Sequence, residues 1–345
     1  MHERPLRKVL LVQAIEETDR SGEVLPLPER LEATRAIIGN NPPAVETQAE
    51  APLSSATEWF LIRRAEVLLR SLRSRSPGID HVLAVAGGVT PLDRGMLVLA
   101  FAAGMTLSML DGGGSISIFA PPLVALIAWN VLIYIVLLAS TRRKRADGKP
   151  ASWFGSFYAR WVRNRIDRLL GHSTRFNAPL APGLRRFAGD WWEIAQPLFM
   201  ARARRLLHVA AALTALGLVA GYYVRGFVMR SAAGWASNSL VGPETAHALL
   251  VVLYGPASLV SGIPIPSAES IGALRWSAPS VGGGEATAWL HLIAWTAVLY
   301  IVLPRLLAAL LAMLRLWQLS RRLALPPGLS GYVRTLFASA RSGTV

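Results

Sequence analysis

The sequence contains no cysteine among its 345 residues. That excludes a disulfide framework, a cysteine nucleophile, thiolate zinc sites and iron–sulfur clusters. Charge is scarce as well: Asp, Glu, Lys and Arg make up 17% of the chain, against about a quarter in a typical soluble domain. Only three lysines occur, Lys8, Lys144 and Lys149, and none sits in an apolar run. An intramembrane Ser–Lys dyad is therefore not expected, and Asp111 has no partner aspartate at similar depth for an aspartyl pair. No Walker A sequence, no GxGxxG after a strand, no HExxH and no GxSxG occurs. The six histidines (His2, His81, His172, His208, His247 and His291) are scattered, with no pair at metal-ligand spacing. No catalytic residue, cofactor site or metal site is assigned on these grounds, and the expectation is a protein that is not an enzyme.

What the chain has is apolar length. Hydrophobic residues make up 52%, and the mean hydropathy is +0.39. A bilayer core needs about 20 apolar residues in a helix. Four stretches approach or meet that: 96–110, 122–140, 206–224 and 286–303, the last continuing as an apolar helix to 314. The first is short, at 15 residues, and local bilayer thinning would accommodate it. No alternating strand pattern of useful length appears. The fold class expected is all-α: a polytopic membrane protein with four transmembrane helices, helical cytoplasmic blocks and a helical extracytoplasmic segment.

Basic residues set the orientation. Residues 1–94 hold 12, residues 141–205 hold 15, and the portion from Arg305 holds six. The stretch 225–285 holds only Arg225, Arg230 and Arg275. This asymmetry predicts both termini on the cytoplasmic side of the membrane. Arg142, Arg143, Lys144 and Arg145 close the second span, and Arg202, Arg204 and Arg205 precede the third. All seven are expected at the lipid headgroups, where anionic lipid attracts them. Because the excess basic charge, +15 overall, crowds these boundaries, nucleic acid is not expected as a partner. The first 30 residues mix acids and bases without an apolar core, so no cleavable signal peptide is expected.

The domain reading follows. Residues 1–94 form an N-terminal helical region with a polar, proline-bearing linker near 39–55, and 95–140 form a transmembrane hairpin. Residues 141–205 are a basic cytoplasmic region, 206–224 the third span, 225–285 an extracytoplasmic segment, 286–314 the fourth span and 315–345 a tail. Within 56–75, Trp59, Phe60, Leu61, Ala65, Leu68, Leu69 and Leu72 make an apolar stripe, with Arg63, Arg64, Arg70, Arg73 and Arg75 on the basic side. Residues 153–170 repeat such a pattern and fit a helix at headgroup level or one packed on the N-terminal helices. Trp191 and Trp192 suit either an interfacial anchor or a core. In 225–285, Pro243 opens a helix that Gly255 and Pro256 are expected to break, giving a surface cap or a re-entrant element.

Three positions in the spans carry packing signals. Asn130 is the one amide at mid-depth and needs a partner helix or a water-filled path. Gly217 and Gly221 form a small-xxx-small pattern that favours close helix approach, within the chain or between copies in a homo-oligomer. Pro304 should kink or end the fourth span, with Arg305 beside it snorkelling to the interface.

Several phrases resemble one family. They are Ala14-Ile15-Glu16-Glu17-Thr18-Asp19, Leu31-Glu32-Ala33-Thr34-Arg35, Arg64-Ala65, Trp129-Asn130-Val131-Leu132-Ile133-Tyr134, and Gly255-Pro256 to Ile263-Pro264. They spread over nearly the whole chain and are similar to a family of uncharacterised bacterial inner-membrane proteins, a domain of unknown function. Genes of that family often sit beside one for a predicted GTPase-like protein, so the resemblance implies a cytoplasmic GTPase-like partner. No functional residue carries over. Three readings follow: a non-enzymatic inner-membrane scaffold that recruits a cytoplasmic partner, an oligomeric channel or transporter, and a membrane enzyme acting on lipid. The acidic residues Glu16, Glu17, Asp19, Glu23, Glu29 and Glu32 and the arginine-rich helices could face a partner or pair with one another.

Overall fold

The structure is a computed structural model. It describes residues 1–38, 54–88, 91–111, 115–147, 178–228, 232–235, 241–275, 286–321, 323, 326 and 328–342. The expected helix over 153–170, His172 and the glycine runs 112–114 and 282–284 lie outside the described residues. Helix dominates: α1 (Glu3–Thr18), α2 (Leu27–Ile38), α3 (Ser55–Arg75), α4 (Ile79–Ala86), α5 (Pro91–Ser108), α6 (Pro121–Asp147), α7 (Ala181–Tyr223), α8 (Pro243–Ser261), α9 (Ala268–Ala273), α10 (Thr287–Ala297), α11 (Leu303–Arg321) and α12 (Gly328–Ser342). One small departure from an all-helical chain is a parallel pair of three-residue strands, β1 (Ser115–Ser117) and β2 (Ala232–Gly234). Three residues per strand are too few to produce a legible alternation.

Among the described residues, three helices are long and apolar enough to cross a membrane: Pro121–Ala139, Ala181–Phe227 and Thr287–Arg321. The chain divides into two compact units. Unit 1 gathers Met1–Thr90, Ala151–Ala203 and Met313–Val345, and unit 2 gathers Pro91–Pro150 and Arg204–Ala312.

Unit 1 has a core of its own. Leu6 and Ile15 of α1, Phe60, Leu68 and Leu72 of α3, Phe187, Trp191 and Phe199 of α7, and Leu329 and Phe337 of α12 are all buried in it. The apolar stripe of α3 makes this possible, and Ser54 starts the helix by accepting from the Thr57 N–H at 3.2 Å. Trp191 is a core residue here: its indole donates to the Ala86 carbonyl at 2.9 Å.

Unit 2 contains the apolar helices and both strands. Two expectations about helix breaks are corrected in it. Gly255 and Pro256 do not break α8, which runs on to Ser261 and ends at Gly262, in the left-handed conformation at φ 72°. One proline removes a single hydrogen bond, and the buried stripe of Ala246, Leu250, Tyr254 and Ala257 holds the helix through that gap. Nor does Pro304 end the last apolar helix. The chain widens into a π turn over Val298–Val302, and the Leu303 N–H reaches the Val298 carbonyl. Proline at 304 has no N–H for the Tyr300 carbonyl, which accepts instead from the Tyr134 hydroxyl at 3.4 Å.

Candidate functional site

The site in unit 2 is built around one arginine. Arg305 lies one residue past Pro304 on α11 and is only 5% exposed. Its Nε donates to Asn130 Oδ1 of α6 at 2.6 Å, and one terminal nitrogen lies 3.1 Å from His208 Nδ1 of α7. The guanidinium carbon stands 5.1 Å from the Tyr134 ring centre. Asn130 in turn donates from Nδ2 to the Leu126 carbonyl at 2.7 Å, which fixes which way its amide points. Guanidinium groups only donate, so His208 must present its lone pair at Nδ1 and carry its proton on Nε2. Among the described residues no carboxylate lies within ion-pair distance of Arg305. The charge is held by an amide and an aromatic face from α6 and an imidazole from α7.

This corrects the expectation for Arg305. It does not snorkel to an interface; it is drawn inward because Asn130 and His208 offer acceptors within reach. Asn130, expected to need a partner, has two. His291 belongs elsewhere in the unit: its Nδ1 lies 2.7 Å from the Tyr223 hydroxyl. Gly217 and Gly221 are placed within the chain, against α5. A Cβ on Gly217 would stand 2.0 Å from the Phe101 carbonyl oxygen, and one on Gly221 would stand 2.2 Å from Ser108 Oγ. Gly104 of α5 answers them, with the Thr214 carbonyl oxygen 2.0 Å from its would-be Cβ. Backbone meets backbone at three points along this pair.

Of the residues expected at headgroups, Arg142, Arg143, Lys144 and Arg145 fall in the last turns of α6, their side chains outside the described set. Arg205 is exposed and Arg204 half-buried. Arg202 differs from expectation: a terminal nitrogen lies 2.6 Å from both oxygens of Glu3, inside unit 1. A carboxylate one helix away outcompetes a more distant headgroup.

Unit 1 holds a second buried arginine that the sequence reading put on a solvated face. Arg64 is 2% exposed. It donates to both oxygens of Glu16, at 2.7 and 3.0 Å, to Thr34 Oγ1 at 2.8 Å and to the Tyr332 hydroxyl at 2.8 Å. The Tyr332 hydroxyl also donates to Glu16. Burial, then the Glu16 carboxylate, push the Tyr332 hydroxyl well above its ordinary value, so it keeps its proton. The signal was in the spacing: Arg64 lies four residues from Phe60 and from Leu68, on the apolar stripe. Nearby, the Asp19 carboxylate accepts from the N–H groups of Glu23, Val24 and Leu25 and from Arg30 at 2.7 Å. Burial alone would raise its pKa, but these partners hold it below the ordinary 3.8. The acidic and basic stretches thus pair with one another: Glu29 with Arg75 and Glu17 with Arg186 as well.

The comparisons with known proteins agree with this picture at the level of family. Residues 162–339 match the family model described as a protein of unknown function, DUF2868. An uncharacterised membrane protein of Neisseria meningitidis serogroup B is 24% identical over 272 residues, covering 77% of this chain and 54% of its own. The chain thus spans about half the length of that curated relative. No solved structure matches. With half of its length matched by the family model, the chain belongs to this family of uncharacterised membrane proteins.

Proposed function

We propose that the protein is a non-enzymatic scaffold of the bacterial inner membrane, which holds unit 1 at the membrane and offers it to a cytoplasmic partner. The observation that carries this is the core of unit 1. About half the chain is given to a helical body with its own apolar interior and buried ion pairs. Such a body needs no membrane to satisfy its polar groups, and a purely membrane-embedded protein would have no use for it. The partner the resemblance implies is GTPase-like. On α2 a groove of about 610 Å³, lined by Leu27, Pro28, Leu31, Glu32, Arg35 and Ala36, is the surface we assign to it.

Parity supports four spans. Unit 1 is assembled from three stretches of chain, so each intervening stretch must leave and re-enter the same side. Between Thr90 and Ala151 the long helix α6 needs a companion crossing, and α5 with the turn through Asp111 is the one available. Its backbone contact with α7 at Gly104, Gly217 and Gly221 supports that role. Between Ala203 and Met313, α7 and the α10–α11 helix supply the pair. The basic excess in 1–94 and 141–205 supports a cytoplasmic unit 1. The channel reading is weakened because the Asn130 amide is already engaged by Arg305 and Leu126.

Gentle detergent extraction from native membranes, followed by mass spectrometry and native mass, tests the scaffold. A stoichiometric cytoplasmic protein that co-elutes, and is lost with Leu31→Glu, is the expected result. A homo-oligomer without a partner, conducting ions in liposomes and silenced by Asn130→Leu, would overturn it.

A further inference from the structure

We infer that α8 and the extended segment after it form a re-entrant hairpin whose outer face and tip lie in the hydrocarbon of the bilayer. The inference goes beyond the scaffold reading and stands without it; it requires only that unit 2 is in a membrane. Four observations carry it.

The first is the outer face of α8. Opposite the buried stripe of Ala246, Leu250, Tyr254 and Ala257 lies a continuous exposed strip of Ala248, Leu249, Val252, Pro256, Leu259 and Val260. Val252 is 76% exposed and Leu259 is 87% exposed. A helix in water places polar residues on the side away from its core. Past its first turn this helix places none there, and no Asp, Glu, Lys or Arg occurs from 245 to 268.

The second is continuity. The buried stripe packs on α10, with Tyr254 edge-on to Trp289 at 6.1 Å. That helix begins a segment apolar enough to span a membrane, and its continuation α11 exposes Leu307, Leu310 and Leu311 in the same manner. One solvent serves both surfaces.

The third is the path of the chain. Gly262 turns it, and 263–267 run back to α9, where a Cβ on Gly272 would stand 3.3 Å from the Pro243 ring. The segment therefore starts and finishes at one level. That suits the even number of crossings which unit 1 demands, since a hairpin that returns adds none.

The fourth is the accounting of backbone polar groups. Non-helical backbone in hydrocarbon must have its N–H and C=O groups satisfied within the protein. At the turn the Gly262 N–H bonds the Ser258 carbonyl at 2.9 Å. Ser258 Oγ donates to the Ile263 carbonyl at 2.6 Å, and Ser261 Oγ accepts from the Ile263 N–H at 3.3 Å. Pro264 and Pro266 have no N–H to satisfy. The serines and prolines thus satisfy or remove several of the turn's backbone polar groups. The 19 residues of α8 reach about 28 Å, close to the roughly 30 Å of the hydrocarbon core.

The absence of native cysteine makes the test direct. Single-cysteine variants Val252→Cys, Leu259→Cys, Glu244→Cys and Val136→Cys are spin-labelled and reconstituted in phosphatidylethanolamine–phosphatidylglycerol liposomes. Collision with oxygen is then compared with collision with a water-soluble nickel chelate. All four positions are exposed in the protein, so the fold should survive each change. The expected result is an oxygen-to-nickel ratio at 252 and 259 matching that at Val136 on α6, with the reverse at Glu244. Nickel access at 252 and 259 like that at Glu244 overturns the inference in favour of a watery cap. Shielding from both reagents overturns it in favour of a second copy or another protein on this face. Loss of the oxygen signal at Val136 would instead count against membrane insertion of unit 2, and with it against both this hairpin and the span topology.

Discussion

Arg305 carries a charge that its surroundings do not neutralise. Its neighbours Asn130, His208 and Tyr134 lower the cost of holding it without cancelling it, so each deletion should be felt through the guanidinium left behind. Arg305→Leu leaves only neutral groups to find new partners, whereas Asn130→Leu leaves a buried charge short of an acceptor. We expect Asn130→Leu to lower the detergent unfolding temperature more than the Asn130→Leu/Arg305→Leu pair does. Losing a hydrogen bond to a charged group costs about 1.5–3 kcal/mol, against a swap of both partners that is near neutral. In unit 1, Glu16→Gln breaks the ion pair with Arg64 and should cost more, about 3–5 kcal/mol, read as an earlier unfolding of the unit. Asp19 gives a pH signature. Its folded pKa is below the ordinary value, so its stabilisation is complete above pH 3.8 and is lost as pH falls through the lower folded value. Asp19→Asn should therefore be less stable than the natural protein at pH 7, and the gap should close in acid titrations of unfolding. Side-chain roles of this kind were half legible in the sequence. Asn130 stood out because an amide in an apolar run needs a partner. Arg305 and Arg64 were misjudged because an arginine next to an interface, or on an amphipathic helix, ordinarily turns outward. Only the third dimension brings Glu16, Thr34 and Tyr332 around Arg64.

Elements were easier to read than their ends. Apolar length marks the crossing helices whatever their partners, so α6, α7 and the α10–α11 helix were visible. Their breaks were not. Pro256 and Pro304 both argue for termination locally, yet both helices continue, one through side packing and the other through a π turn and the Tyr134 hydroxyl. A tertiary bond replacing a missing backbone bond has no local signature. The small residues of α7 were legible as a packing surface, but not their partner. Gly104 and Phe101 on α5 supply it, and the approach is so close that any side chain must move the backbone. Gly217→Leu should separate α5 from α7, seen as a longer spin-label distance between the two helices and a loss of stability of about 1–3 kcal/mol or more, the usual penalty for overpacking. A substitution at Gly189, where a Cβ would meet nothing within 4 Å, is the control that should change neither.

At the scale of the whole molecule the notable fact is that unit 1 is discontinuous. Its core draws on the first 90 residues, on the start of α7 and on α12, with Phe60 and Phe337 in ring contact at 5.0 Å. The composition shift between polar and apolar stretches was plain in the sequence, but it left open whether the 141–205 block packs on the N-terminal helices and gave the C-terminal stretch no place in that body. Nothing local says that residues 64 and 332 meet. The difference matters for any dissection: a chain stopped at 327 loses Leu329, Tyr332, Val333, Leu336 and Phe337 from the core. Such a chain should show rapid proteolysis within residues 1–90, with the apolar helices still membrane-inserted. Point changes on α2 are the safer way to probe a partner.

The Arg64–Tyr332 bond closes a separation of 268 residues. Synthesis at about 5–20 residues per second would take roughly 13 to 54 seconds to cover it. For that time α1 to α3 stand outside the ribosome with Leu6, Phe60 and Leu68 waiting for their last neighbours. Every apolar helix has to emerge before α12 does. Completion of unit 1 therefore waits for every apolar helix, and a molecule in which one of them had failed to fold into place would leave its first three helices open to proteolysis.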